Sequence, residues 1–223
     1  MPTRPTDPRT AAVVAWMKEH GDRLRELLWE EGEEAEDRSP AGEAAVRGQL
    51  RFQTEALAAT APTALRGALE RFAGELPQRF EGETGMLEEE LQRVSEAAGF
   101  EARMQFGDAV GEDPSFVAVV GRSVLISAWS RFYLRLLDEA LGEEGRLAAA
   151  AGSWMDGREE ELALMIFSVD RRAKQAEIAR GGQEAVSDPD RVNLIGQAAL
   201  LQARMRFLLE AVSAGMGARA ASR

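Results

Sequence analysis

Residues 113–141 read DPSFVAVVGRSVLISAWSRFYLRLLDEAL, and this stretch decides the fold. Between Asp113 and Arg131 the single charged side chain is Arg122. As a helix the first half is apolar almost all the way round, and a helix of that kind is buried. Asp113 before Pro114 marks its start. A carboxylate at the N-cap accepts a free backbone N–H, and a proline in the first turn loses no hydrogen bond. No stretch of the chain reaches the roughly 18 uninterrupted apolar residues of a membrane span. Burial therefore means the interior of a helical bundle. The expectation is an all-α protein of about seven helices, with helix 113–141 central and buried.

The same punctuation recurs at Asp7-Pro8, Ser39-Pro40 and Asp188-Pro189 and cuts the rest of the chain into helical units. Val13, Met17, His20, Leu24 and Leu27 are spaced 4, 3, 4, 3, which predicts one helix over Pro8–Glu34. Further helices are expected over Pro40–Ala59, over Pro62–Leu76 with Pro77 ending or kinking it, and over Thr84–Ala98. Beyond 141 they are expected over Gly157–Arg180, preceded by a turn or short helix at Leu147–Trp154, and over Pro189–Ala214. Between Phe100 and Phe106 apolar and polar residues alternate with period two, so 100–106 reads as a short extended segment. It divides an N-terminal helical half, 1–98, from a C-terminal half, 113–223, with 99–112 as linker, unless the two halves make one continuous domain.

Residues 113–137 laid over 188–212 without a gap match at nine of 25 positions. Ordinary residue usage in an Ala- and Leu-rich chain would give about two. The matches Gly121/Gly196, Leu125/Leu200, Ala128/Ala203 and Phe132/Phe207 fall on one helix face. An internal repeat is the reading, with Gly121, Ala128, Gly196 and Ala203 as close helix-packing positions. The alternative is that two buried helices converged on similar residues.

Composition narrows the function. The net charge is −11 and the pI about 4.8, which disfavours nucleic acid and anionic lipid as partners. Cysteine is absent, so disulfides, thiolate catalysis, zinc knuckles and iron–sulfur ligation are excluded, which fits a reducing cytoplasm. His20 is the one histidine, so the paired Glu-x-x-His of a di-iron bundle cannot be assembled. His20 itself reads as a polar residue at the bundle edge. Glu30, Glu31, Glu33, Glu34, Glu36 and Asp37 read as a solvated charge run. Phosphate-binding loops, GxSxG and HExxH are missing, and no catalytic or metal-binding residue and no cofactor is expected.

One cluster in helix 113–141 could hold a ligand. Arg122 is a lone cation in an apolar segment, and Trp129 and Tyr133 follow at i and i+4 on one face. A buried guanidinium needs a partner, and a structural ion pair to another helix serves as well as a ligand anion. Arg131 and Arg135 read as a rim stripe. The leading expectation is a non-enzymatic cytoplasmic accessory, adaptor or assembly protein that binds another protein or itself, for instance as a homodimer. The competing one is a helical ligand-binding domain or helical enzyme with a pocket near Arg122, Trp129 and Tyr133.

Overall fold

The computed structural model describes residues 8–34, 43–80, 114–181 and 202–216. The protein is all-α: the described residues form eight helices and no strand. They are α1 (Pro8–Glu19), α2 (Gly21–Glu34), α3 (Glu43–Thr60), α4 (63–80), α5 (Pro114–Leu141), α6 (Arg146–Met155), α7 (Glu159–Gly181) and α8 (202–216). The deciding stretch is thus one helix of 28 residues. The extended segment expected at 100–106, the helix expected at 84–98 and the linker 99–112 lie outside the described residues.

Two boundaries depart from the sequence reading. The helix expected over Pro8–Glu34 is two helices that meet at His20. His20 N–H still bonds the Trp16 carbonyl at 3.0 Å, but Arg23 N–H bonds the His20 carbonyl at 3.0 Å, a tighter i to i+3 closure. Gly21, the poorest helix former short of proline, sits at the joint. The imidazole Nδ1 lies 2.8 Å from the Trp16 carbonyl, and the ring stacks on the Trp16 indole at 4.1 Å between centroids.

Pro77 does not end α4, which runs on to residue 80. Beyond the proline, Phe80 is fully buried and the Arg79 guanidinium lies over the Phe72 ring at 5.8 Å. Burial of a large aromatic side chain is worth about 2–3 kcal/mol, comparable to the cost of an interior proline. The short helix that the sequence reading allowed at Leu147–Trp154 is α6, a formed element of ten residues.

The described residues fall into two compact units. The first holds α1 to α4 with residues 133–153 and 209–216; the second holds 114–132, 154–181 and 202–208. In the first unit α1 and α2 both pack on α3. Its core is built from Leu27, Leu50, Phe52, Leu69, Phe72 and Leu76, among others, all buried. At Gly48 an added Cβ would meet the Leu27 carbonyl oxygen at 3.1 Å, so the α3 backbone lies close against α2 there. At Gly215 it would meet the Leu147 carbonyl oxygen at 2.9 Å, so α8 approaches α6 as closely.

A defined loop joins α5 to α6. Gly142 takes φ +64°, its N–H bonds the Glu139 carbonyl, and the Glu143 N–H bonds the Asp138 carbonyl. This pair of bonds and the left-handed glycine close α5 in a Schellman motif. Asp138, itself buried, then turns its carboxylate onto the start of α6: Oδ1 accepts from Gly145 N–H at 2.6 Å and Oδ2 from Ala148 N–H at 2.9 Å. One side chain satisfies two of the backbone donors that a helix start leaves free.

In the second unit Leu162, Ile166, Ala203 and Phe207 are buried. Trp154 packs against Phe207 at 5.6 Å, and the Arg158 guanidinium covers the indole at 4.6 Å. Arg131, half-buried, pairs with Asp156 at 2.6 Å.

Candidate functional site

Tyr133 is fully buried in the first unit. Its ring lies 5.8 Å from that of Phe72, and its hydroxyl lies 2.8 Å from Thr54 Oγ1. Burial pushes the hydroxyl above its ordinary value, and the Thr54 hydrogen bond opposes that only in part. Trp129, in the second unit, is also buried and meets Phe132 edge-on at 6.0 Å. Of Arg122 and Gly121 the structure describes the helical backbone within α5. Ala128 and Ala203 are both fully buried, while Gly196 lies outside the described residues. Their repeat-mates behave alike, since Phe132 and Phe207 are each buried, as are Leu134 and Leu209.

The densest set of charges lies between α2 and α3. Arg23 makes two parallel bonds of 3.1 Å to Glu55, through Nε and Nη2, and reaches Glu26 and Glu30 through Nη1. Bonding to Glu55 raises the Arg23 guanidinium above its ordinary value. Arg51 bridges Glu30 at 3.3 Å and Glu31 at 3.6 Å, and Arg47 Nε donates to Glu31 at 2.9 Å. The Glu31 side chain is 4% exposed. The solvated-run reading therefore fails for Glu31. The signal was available: the seam of α1 and α2 steps by 4 and 3, and Glu31 is the next step of four after Leu27. A carboxylate can occupy that inward position because two guanidinium groups meet it there.

The second unit holds one more buried cation, Arg204, whose guanidinium burial pushes down to about 10. It stays protonated at neutral pH.

Two outward features stand apart from the packed interior. Trp29 on α2 is 69% exposed, the most exposed large apolar side chain among the described residues. Leu164 on α7 is 56% exposed. In the first unit a groove of about 330 Å³ opens between α3 and α4, lined by Ala58, Ala73 and Gly74 and by the charged Arg51, Glu55 and Glu70. Among the described residues no cluster of His, Asp and Glu is placed to hold a metal ion, and no helix is long and apolar enough to cross a membrane. Compared with known proteins, the chain matches no family model, no curated protein and no solved structure.

Proposed function

We propose that this chain is a non-enzymatic interaction protein of the cytoplasm, an accessory or adaptor subunit that binds another protein or a second copy of itself. The observation that carries this reading is the exposure of Trp29, 69% of its surface. An indole left in water forgoes burial worth about 2–3 kcal/mol, and tryptophan is the residue type most enriched among interface anchors. The pocket reading draws less support. The polar end of Tyr133 is already bonded to Thr54 and its ring is fully buried, which leaves nothing of it to offer a ligand.

A native mass spectrum of the purified protein tests the proposal. The expected result is a multiple of 24.3 kDa with no added mass. A bare monomer would confine the reading to a different protein as partner. A monomer that retains a reproducible small-molecule mass would reverse the ranking in favour of a ligand-binding domain.

A further inference from the structure

We infer that the outward face of α4 is the contact surface for a second copy of this chain, docked antiparallel about a two-fold axis between Glu70 and Arg71. This inference rests on the interaction reading above and names its partner.

The starting point is a pair of glycines that the fold does not explain. Gly67 and Gly74 are exposed and seven residues apart, on the side of α4 opposite buried Leu69, Phe72 and Leu76. A glycine inside a helix costs stability against alanine. Gly48 and Gly215 offset that cost by letting two backbones approach within the molecule. At Gly74 an added Cβ meets nothing within 4 Å, and at Gly67 it meets only the far end of the Arg71 side chain, at 4.0 Å. The room that these glycines keep faces outward, where another helix backbone can use it.

The charges between them identify the other helix. Among the described residues the side chains of Glu70, Arg71 and Arg66 have no hydrogen bond or ion pair. Residues 65–76 read LRGALE and then RFAGEL. Antiparallel pairing about the centre sets Gly67 opposite Gly74, Glu70 opposite Arg71, and Arg66 opposite Glu75 of the second copy, a carboxylate that Arg79 of its own chain also holds at 3.1 Å. Glycine meets glycine and every charge meets its opposite. A two-fold contact demands that kind of self-complementarity. The groove beside α4, which Glu70 and Glu55 help to line, receives Arg71 of the second copy.

Sedimentation velocity on the full chain over a range of concentrations tests this. The wild-type protein is expected to dimerise. Glu70→Arg or Arg71→Glu alone places like charges opposite each other twice per dimer and should weaken dimerisation about tenfold or more. Joining the two in one chain restores the complementarity, as does mixing the two single variants, and both should recover the dimer. Gly74→Leu should abolish it, with circular dichroism showing the helical fold kept. A wild-type monomer at every concentration overturns the inference. A dimer indifferent to these changes also overturns it but leaves self-association standing. A monomer that retains a small molecule instead defeats the reading on which it rests.

Discussion

The Tyr133 hydroxyl donates to Thr54 Oγ1 across 2.8 Å, with both residues wholly out of water. The direction follows from a second bond. Thr54 Oγ1 lies 2.8 Å from the Leu50 carbonyl, which can only accept, so the one hydroxyl hydrogen of threonine is committed there. Removing the acceptor should therefore cost more than removing the donor. Thr54→Val strands a buried phenol and is expected to lose about 1–3 kcal/mol, whereas Tyr133→Phe leaves Thr54 its bond to Leu50 and should lose about 1 kcal/mol. Urea unfolding of both variants and the double variant measures this, and the double should cost less than the sum.

Tyr133 is the one tyrosine in the chain, so alkaline absorbance titration reads it alone. Its folded value is raised above the ordinary 10.0, mainly by burial. Below pH 10 the hydroxyl is neutral in folded and unfolded chains alike, and it contributes no pH dependence. Above pH 10 the unfolded chain ionises first, so stability falls as pH rises. The phenolate band should be missing from folded protein just above pH 10 and should grow in together with loss of helical dichroism. A normal titration at pH 10 in folded protein would contradict the burial of this side chain.

Glu31 is expected to be the most sensitive of the acidic residues on α2. Glu31→Leu leaves Arg47 and Arg51 facing a carboxylate that has gone, and loss of one partner of a buried pair costs about 3–5 kcal/mol. Glu30→Gln, at a site half open to water, should stay within about 0.5 kcal/mol. Chemical denaturation of the two variants side by side decides between a buried pair and a solvated run.

Asp138→Ala removes both acceptors at the start of α6 and should cost about 1–2 kcal/mol. Asp138→Asn keeps one acceptor but turns an amide N–H toward a backbone N–H, so the melting temperature should fall for this variant as well.

Three helix glycines divide by sign. Gly48→Ala and Gly215→Ala push a methyl against a carbonyl oxygen, and about 1–3 kcal/mol of destabilisation is expected from each. Gly74→Ala enters open space in mid-helix and should stabilise the isolated chain by up to about 1 kcal/mol. Melting temperatures at low protein concentration separate the two groups.

Helix α5 was legible because two independent signals, a capping dipeptide and an unbroken apolar run, agreed on it. The joint at His20 was not, because the 3-and-4 spacing of Val13, Met17, Leu24 and Leu27 passes through it unchanged. Periodicity reports which side faces inward and is blind to a local backbone break that preserves the face. Pro77 misled for the converse reason: a local rule was overridden by the burial of Phe80, set by tertiary contacts. For the site, the spacing put Trp129 and Tyr133 on one helix, but whether a hydroxyl is free or bonded depends on Thr54, 79 positions away in sequence. The mirror order around Glu70 and Arg71 needs no structure to be seen. It acquires meaning only once Gly67 and Gly74 are known to look outward.

Every cation in the network between α2 and α3 is an arginine, and the whole chain carries just two lysines, Lys18 and Lys174. Enzymes and reagents that acylate, methylate or ubiquitylate side-chain amines thus find Lys18 exposed on α1 and Lys174 half-buried on α7, and no target among the groups that fasten α2 to α3. That seam is closed to lysine-directed signalling, and what reaches it from outside is salt, which screens the pairs that lie partly open to water.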